Sequence, residues 1–392
     1  MYKILGHHHI SMITKNATQN NHFYKQVLGL RRVKMTVNQD DPSMYHLFYG
    51  DKTGSPGTEL TFFEMPMVGR THRGTNAITR IGLLVPSEES LYYWKERFEK
   101  HGVKHEKITN YANRLALKFE DPDGLRLVLL VSNGKKLEHW ETWEKSNVPK
   151  EHQIQGMGPI EMTVRRLDKL ANTLTEMFGY IEVSRHKNEA TFQSIEGEAF
   201  GEIVVKYEDG PTERPGRGSI HHLAIRVKNE EELKYWEDQV KKRGFHTSGI
   251  VDRFYFKSLY FRESNGIVFE IATDGPGFTI DSHVESLGEQ LDLPPFLEER
   301  REEIEAKLSP IEEEKGMKNN MIDMLPRINE LAKKQREEGL THAEKLEQQV
   351  LREEYLRMIR GQVLHTFSEM KVIDPLGKDV TPEKIRHMQK KS

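Results

Sequence analysis

Short apolar runs rich in β-branched residues recur along the chain, each followed by one amphipathic stretch and then by further extended segments. In the first copy, residues 8–14 predict a strand, and Asn16 or Thr18 predicts the cap of a helix that follows. The same order recurs with first strands at Ile78–Val85, at Ile160–Val164 and from Ile220 onward. Ser87 and Asn229 are the predicted helix caps of the second and fourth copies. We interpret the pattern as four βαβββ modules.

A single βαβββ module is a small curled sheet with one helix, and it cannot bury its sheet face alone. The modules should therefore pair. The sequence predicts an α+β fold in which four βαβββ modules form two paired curled-sheet cups, followed by a C-terminal α-helical hairpin. We divide the chain into modules one and two (residues 1–145), modules three and four (146–280), a charged helical tail and linker (281–318), and a helical hairpin with a polar tail (319–392).

The predicted hairpin follows a candidate linker around Pro310–Asn320. Pro326 lies near the start of its first helix, and Gly339 ends that helix. Thr341 and Glu344 have the spacing of a capping box at the start of a longer second helix. Two helices with a short connection are typical of an αα-hairpin.

Composition narrows the functional classes. The net charge of −3 argues against a general nucleic-acid binder, and the absence of cysteine means that any metal must be held by His, Asp or Glu. Apolar Ile4-Leu5 runs directly into three histidines, which does not resemble a signal peptide. The longest apolar run, Leu127–Val131, is far shorter than the roughly 20 residues of a membrane span. We expect a cytoplasmic protein with neither a membrane nor a nucleic-acid partner.

Two predicted first strands carry a histidine in an otherwise apolar run: His9 in module one and His222 in module four. Glu270 stands between Phe269 and Ile271 in the last strand of module four, and such a carboxylate is costly to bury unless it is paired or bound to a metal. If modules one and four pair, His9, His222 and Glu270 converge, and modules two and three form a structural shell. Two histidines and one carboxylate with open positions are typical of non-haem Fe(II), and Mn(II) or another divalent metal also suits these donors.

Several motifs, taken together, give a specific resemblance to a known family. They are His8-His9-Ile10-Ser11, Tyr45–Tyr49, Gly54–Thr58, Arg73-Gly74-Thr75, Ile220-His221-His222 and the stretch from Arg253 through Glu270. With the repeated modules, they resemble the vicinal oxygen chelate superfamily of glyoxalases, bleomycin resistance proteins and extradiol dioxygenases. The nearer resemblance, over roughly residues 1–310, is to MhqO-like and hydroquinone-type ring-cleaving dioxygenases. Residues 320–390 resemble YnzC-like bacterial proteins, which have no firmly assigned biochemistry.

The resemblance implies an activity. It implies a ring-cleaving dioxygenase that opens a hydroquinone- or catechol-type diol with O₂, in degradation or detoxification of aromatic compounds or quinones. A small aromatic diol and O₂ would be its partners, and a para-diol is favoured over catechol by the resemblance alone. It also implies that the metal ligands come from the first and last modules.

Five further residues are candidate catalytic residues. His8 and His221 precede the two ligand histidines and should face the opposite side of the strand unless it bulges, but the resemblance implies that they lie near the metal, with His221 as an acid/base. Tyr260 would hydrogen-bond a substrate oxygen, and Arg253 would hold an oxyanion. Ser11 stands where the resembled family commonly has Thr, which implies a hydrogen-bonding role. The plainer interpretations are a packed histidine pair, a core tyrosine and a solvated arginine.

Two other functions stay open from the sequence. One is a glyoxalase-like metal-dependent isomerase or thiol transferase, which would need a thiol cofactor instead of O₂. The other is a non-catalytic quinone- or drug-binding protein. A homo-oligomer is compatible with the sequence, and the partner of the C-terminal hairpin is unknown.

Overall fold

The computed structural model describes residues 2–132, 137–311, 321–341, 344–345, 347–349 and 351–352. The chain divides into two compact units, Met1–Ile311 and Glu312–Ser392. Among the described residues, every strand lies in the first unit. The strands are β1 (His7–Thr14), β2 (Arg31–Val37), β3 (Tyr45–Gly50), β4 (Glu59–Glu64), β5 (Ala77–Val85), β6 (Thr109–Tyr111), β7 (Arg114–Glu120), β8 (Arg126–Val131), β9 (Gly156–Val164), β10 (Ile181–His186), β11 (Glu189–Gln193), β12 (Glu202–Tyr207), β13 (Ile220–Val227), β14 (Thr247–Asp252), β15 (Phe256–Arg262) and β16 (Val268–Pro276).

These strands form two curled sheets of eight strands each. The first sheet has the order β14-β15-β16-β13-β1-β4-β3-β2 and combines modules four and one. The second has the order β10-β11-β12-β9-β5-β8-β7-β6 and combines modules three and two. The predicted pairing of modules into two cups is therefore confirmed. In each sheet the two first strands lie antiparallel at the centre, β1 with β13 and β5 with β9.

Each module contributes one helix, and the helices of the first unit's modules are α1 (Ala17–His22), α2 (Glu88–Lys100), α3 (Leu167–Asn172) and α4 (Glu230–Lys242). α1 and α3 continue into single π-helical turns, Phe23–Val27 and Thr173–Met177. The predicted caps Ser87 and Asn229 accept a backbone N–H with their side chains, and Asn16 rather than Thr18 caps α1. Among the described residues, no helix combines the length and the hydropathy that crossing a bilayer would require.

The helices pack their apolar faces on the sheets. Trp94 and Phe98 of α2 and Trp236 of α4 are fully buried in the main hydrophobic core. Burying an aromatic side chain of this size stabilises the fold by about 1.5–3 kcal/mol. Each sheet has a second face, which points away from these helices. The candidate site lies on that second face of the first sheet.

A tail follows the modules, with short helices α5 (Pro295–Glu298) and α6 (Arg301–Glu305). In the second unit, α7 (Met321–Glu337) begins five residues before Pro326, so the proline lies in the first half of the helix, after its first turn. Gly339 ends α7 in a left-handed conformation with φ +81°, as expected. Thr341 and Glu344 form the predicted capping box. Most of the predicted linker and of the second hairpin helix lies outside the described residues.

Candidate metal centre

The candidate site lies at the centre of the first sheet, where β1 and β13 run antiparallel. His9 pairs with Ala224 and Ser11 pairs with His222, so the two histidines are diagonal neighbours on one face of the sheet. β16 lies on the other side of β13 and pairs Glu270 with Ala224. The register of three strands therefore brings together His9, His222 and Glu270 from distant parts of the chain.

One carboxylate oxygen lies between the two imidazoles. Glu270 Oε2 is 3.0 Å from His9 Nε2 and 2.8 Å from His222 Nε2, and all three residues are buried. Ser258 donates its hydroxyl hydrogen bond to the other oxygen, Oε1. Burial alone would raise the pKa of Glu270, but the neighbouring imidazoles of His9 and His222 hold that pKa well below its usual range. Glu270 is therefore an ionised carboxylate.

Two β-bulges bring a second pair of histidines to the site. The pairing of β1 with β13 shifts by one residue between His7 and His9, and again between Ser11 and Met12. His8 and His221 are the extra residues at these shifts. Their Nδ1 atoms lie 3.0 Å from His9 Nδ1 and 2.7 Å from His222 Nδ1, respectively. Bulges of this kind redirect side chains, which explains why strict strand alternation gave the wrong side for His8 and His221.

The hydrogen-bond partners assign the tautomers. His8 Nε2 lies 3.0 Å from the carbonyl oxygen of Thr273, which only accepts, so His8 donates from Nε2. Burial, reinforced by His9, lowers the pKa of His8 to about 3, so the ring is neutral and its Nδ1 accepts. His9 must then donate from Nδ1. His9 Nε2 therefore faces the carboxylate of Glu270 either with a proton of its own or with a bare lone pair.

This arrangement requires a cation. A lone pair 3.0 Å from a carboxylate oxygen is repulsive unless a proton or a metal ion lies between them. His222 Nε2 is buried without a hydrogen bond of suitable direction, although it lies 2.8 Å from the same oxygen. Two imidazole nitrogens and a carboxylate oxygen that converge in this way fit a divalent metal ion, and the second imidazole nitrogen of each ligand is oriented by a hydrogen bond, as in metal sites generally.

Tyr260 and Arg253 lie at the edge of this centre. The ring of Tyr260 is nearly perpendicular to that of His222, with 5.7 Å between the centroids. Burial raises the pKa of Tyr260, so its hydroxyl stays protonated. The Arg253 guanidinium lies 5.5 Å from the centroid of the Tyr260 ring. Both of its terminal nitrogens bind Asp40, at 3.2 and 3.1 Å, so Arg253 faces an acid in the protein before any substrate arrives.

Ser11 lies on the same strand as His9 and directly opposite His222. Its hydroxyl is 2.8 Å from Thr61 Oγ1, and Thr61 Oγ1 is 3.0 Å from His46 Nε2. Thr61 pairs with Ser11 in module one, and Glu270 pairs with Ala224 in module four. The two pairs are equivalent positions of the two modules, so Thr61 is the module-one counterpart of Glu270. In this place module one has a hydroxyl and no fourth acidic ligand.

Sequence reasoning missed four residues around the centre: His46, Glu59, Thr61 and Ser258. Strand alternation offered a usable signal for three of them, because Glu59 and Thr61 share one face of β4, and Ser258 shares a face with Tyr260 on β15. His46 stood in one of the quoted motifs, but only the neighbouring strands show that it reaches Thr61.

Comparisons with known proteins agree with the fold. Residues 6–129 and 156–271 match the family model described as the glyoxalase/bleomycin resistance protein/dioxygenase superfamily, and the chain belongs to this superfamily. Within it, the similarity is to ring-cleaving dioxygenases. MhqA of Bacillus subtilis (strain 168), provisionally named a ring-cleaving dioxygenase, is 49% identical over 316 residues, which cover 79% of this chain and 100% of that protein.

Other relatives support the same grouping. A chlorohydroquinone/hydroquinone 1,2-dioxygenase of Sphingobium indicum is 28% identical over 77% of this chain and 95% of that protein. A Bacillus subtilis crystal structure, provisionally described as a dioxygenase, is 33% identical with a TM-score of 0.75 and covers 80% of this chain and 99% of that chain. Glyoxalase I from Zea mays, at 13% identity with a TM-score of 0.51 over 69% of this chain and 92% of that chain, shares the fold. The chain is thus a member of an enzyme family whose dioxygenases usually bind a divalent metal.

The C-terminal segment has a separate relationship. Residues 323–386 match a family described as a bacterial protein of unknown function, DUF896. A UPF0291 protein of Staphylococcus aureus (strain Mu50 / ATCC 700699) is 61% identical over 64 residues, which are 16% of this chain and 84% of that protein. The expected fusion of two families is therefore confirmed.

Proposed function

We propose that this protein is an Fe(II)-dependent ring-cleaving dioxygenase that opens a hydroquinone- or catechol-type diol with O₂. The observation that carries the proposal is the single Glu270 oxygen at 3.0 and 2.8 Å from the Nε2 atoms of His9 and His222. The names of the relatives support ring cleavage as the reaction. The predicted cytoplasmic location is part of the proposal.

His9, His222 and Glu270 are the proposed metal ligands. The chemistry that Fe(II) supplies when bound is electron transfer between the diol and O₂, and Mn(II) is the first alternative ion. His8 orients His9 through the Nδ1 contact, and Ser258 orients Glu270. Thr61 in the place of a fourth acidic ligand favours a site with open positions over a closed one of the glyoxalase kind.

His221 is the proposed acid/base. With His222 Nε2 on the metal, His222 Nδ1 would donate to His221 Nδ1, so His221 Nε2 would carry a proton, which it would give to the ring-opened product and recover from the next diol. Tyr260 donates its hydroxyl hydrogen bond to the developing oxyanion, and Arg253 adds positive charge beside Tyr260. The Ser11 hydroxyl is proposed to orient the Thr61 hydroxyl, which in turn contacts His46 Nε2. Both atoms of O₂ enter the product, so the reaction consumes no external reductant.

The test is reconstitution of the full-length protein with Fe(II) under argon, followed by O₂ uptake with panels of hydroquinones and catechols. We expect stoichiometric O₂ uptake and loss of the aromatic absorbance. Reconstitution with Mn(II) and with Zn(II), which is not redox-active, provides the metal comparison. Turnover of a thiol adduct without O₂ would instead support an isomerase or transferase, and tight diol binding with no turnover under any metal would support a binding protein.

A further inference from the structure

A short chain of hydrogen bonds runs through Ser11, Thr61 and His46 beside the candidate metal centre. The hydroxyl oxygens of Ser11 and Thr61 are 2.8 Å apart, and Thr61 Oγ1 is 3.0 Å from His46 Nε2. Ser11 and Thr61 are buried, whereas His46 keeps part of its surface exposed. Within the described residues, these two hydroxyl groups make no other hydrogen bond. The chain therefore leads from a buried hydroxyl to a partly exposed imidazole.

These three side chains lie on the face of the sheet that carries the candidate ligands. Ser11 pairs directly with His222, and residues opposite each other on antiparallel strands have Cβ atoms about 4.5–5.5 Å apart. Thr61 is the residue of β4 that pairs with Ser11. The neighbours of Thr61 and His46 along their strands are buried in the main hydrophobic core: Leu60, Phe62, Tyr45 and Leu47. Strand alternation therefore directs Thr61 and His46 to the other face, where the ligands are.

Two further observations show that His46 is close to the centre. Burial, reinforced by His9 and His222, lowers the pKa of His46 well below its usual range, so the two ligand imidazoles are near enough to act on it. The ring centroid of Phe63 is 4.1 Å from that of His46 and 6.2 Å from that of His221. His46 is therefore a neutral imidazole on the same side of the centre as His221.

The equivalence of modules one and four gives His46 a counterpart. Thr61 corresponds to Glu270. His46 pairs with the residue two places after Thr61, and Ser258 pairs with the residue two places after Glu270, so His46 corresponds to Ser258. Ser258 donates its hydroxyl hydrogen bond to the carboxylate of Glu270. His46 thus contacts the hydroxyl of Thr61 as Ser258 contacts the carboxylate that faces the two ligand histidines.

A threonine in the place of a glutamate leaves room for a ligand atom. The hydroxyl oxygen of Thr61 is attached two carbon atoms nearer to the backbone than the carboxylate oxygens of Glu270. Thr61 therefore stops short of an ion that Glu270 reaches, and a ligand atom in the open position would face the Thr61 hydroxyl.

The tautomer of His46 decides what Thr61 offers to such an atom. A neutral imidazole carries its proton on Nε2 or on Nδ1. With the proton on Nε2, His46 donates to Thr61, and one hydroxyl proton of Thr61 and Ser11 has no acceptor among the described residues. With the proton on Nδ1, Thr61 donates to His46, and no hydroxyl proton is left over. An anion in the open position therefore favours the first tautomer, because a buried hydroxyl then donates to it.

We propose that His46 is a positioning residue that holds the Thr61 hydroxyl so that its proton is donated to an anionic ligand atom in the open position. The inference rests on the proposed metal centre and deepens the proposed function by naming the ligand class favoured there, an anion whose bound atom still accepts a hydrogen bond. A neutral ligand whose bound atom has no lone pair left gains nothing from Thr61.

The experiment measures ligand binding to the full-length, Fe(II)-loaded protein under argon by titration calorimetry. The probes are azide, whose bound nitrogen still accepts a hydrogen bond, and imidazole, whose bound nitrogen does not. His46→Phe keeps an aromatic ring against Phe48 and Phe63, whose centroids are both 4.1 Å from that of His46, and removes the donor. We expect it to weaken azide binding about tenfold and to leave imidazole binding within about twofold. His46→Gln, whose amide still donates, should recover most of the azide affinity.

A second set of variants tests whether His46 acts through Thr61. Thr61→Val should weaken azide binding at least as much as His46→Phe does, and the double variant should bind azide no more weakly than Thr61→Val alone. The matched control is His152→Phe. His152 stacks on Tyr93 of α2, with 4.5 Å between the ring centroids, and its Nδ1 is 3.1 Å from Ser90 Oγ. This variant should keep the wild-type affinity for both probes, because α2 packs on the second sheet.

Equal azide affinity in the wild type and in folded His46→Phe would overturn the inference, and so would failure of azide to bind the wild-type centre. A greater loss in the double variant than in Thr61→Val would overturn it as well, because His46 would then act by another route. Uptake of O₂ separates the two proposals. Azide affinity that depends on His46 in a protein that oxidises no diol would keep the inference and reject the oxygenase, and O₂ uptake with azide affinity independent of His46 would do the reverse.

Discussion

The two sheets have the same architecture but different side chains at equivalent places. His9 stands on the first strand of module one, seven residues before the N-cap of the following helix, and the corresponding residue of each other module is found by the same spacing. Modules one and four have a histidine there, and modules two and three do not: the four residues in order are His9, Arg80, Pro159 and His222. On the last strands, the places set by pairing hold Thr61, Val128, Val204 and Glu270.

Both sheets nevertheless bury a carboxylate near their centre. In the second sheet, Glu161 accepts from Tyr111 at 2.9 Å and from Thr79 at 3.0 Å, and Lys206 Nζ lies 2.7 Å away. Burial opposes ionisation, but the positive charge of Lys206 lowers the pKa of Glu161. The protein itself supplies the positive charge there. Glu270 has two imidazoles and the Ser258 hydroxyl beside it, so its charge is balanced either by a proton on an imidazole or by a bound metal ion. The comparison teaches that the identity of the partner, not burial, separates a structural acid from a ligand.

The largest expected effect is loss of the metal from the first sheet. Glu270→Ala or His222→Ala should lower metal affinity by more than the roughly 10–100-fold seen when a supporting residue of a metal site is changed. Turnover should disappear while the circular dichroism spectrum stays that of the folded protein. Metal analysis after gel filtration and O₂ uptake provide the measurements. Full metal content in both folded variants would reject the three-ligand centre.

The second effect concerns the number of ligands. Thr61→Glu places a carboxylate where module one lacks one, and it should retain the metal while lowering O₂ uptake about tenfold or more, because an open coordination position is filled. Thr61→Val, which keeps the shape and removes the hydroxyl, serves as the matched control and should lose less activity. Equal activity in Thr61→Glu and Thr61→Val would argue against an open position facing Thr61.

A third effect should appear in stability alone. Glu161→Leu leaves Lys206 and Tyr111 without their buried acceptor, and it should destabilise the fold by about 1–3 kcal/mol. Metal content should not change, because Glu161 belongs to the second sheet. Urea unfolding and metal analysis on the same preparation test both statements. A drop in bound metal would contradict the prediction that Glu161 contributes to stability alone and that metal binding depends only on the first sheet.

The last effect is a pH dependence of stability. Burial, reinforced by Asp123, raises the pKa of Asp121 from 3.8 to about 7. Between these values the folded chain keeps a proton that the unfolded chain releases, so this group's contribution to stability falls as the pH rises from about 4 to about 7. Asp121→Asn should remove that decline. The measurement is the difference in urea midpoint between wild type and variant across this range, and a constant difference would contradict the assigned shift.

Much of the fold followed from the sequence, because the four modules repeat one order of apolar runs and caps. His9, His222 and Glu270 were accessible for the same reason: a ligand-type side chain in an apolar strand conflicts with its surroundings. Their roles as ligands remain a prediction. β10 gave little signal, since its residues are largely exposed and its apolar alternation is limited to Ile181 and Val183.

The bulges were not accessible from the sequence. Pairing of β1 with β13 decides where the extra residue is absorbed, and no local pattern marks His8 or His221 as that residue. Glu59 was missed for a related reason. Its partner strand β1 lies about fifty residues earlier in the chain and the aromatic side chains beside it some two hundred residues later, so its lack of a donor among the described residues is a property of the assembled sheet.

The central pairing of β1 with β13 has a consequence for how the protein is made. The ribosome completes residue 9 long before residue 270, and the three side chains meet only after the fourth module has closed against the first. Contacts so remote in sequence form late in folding. If these three side chains hold an ion, a chain that lacks the fourth module should not retain it, and metal occupancy would then report closure of the fourth module against the first.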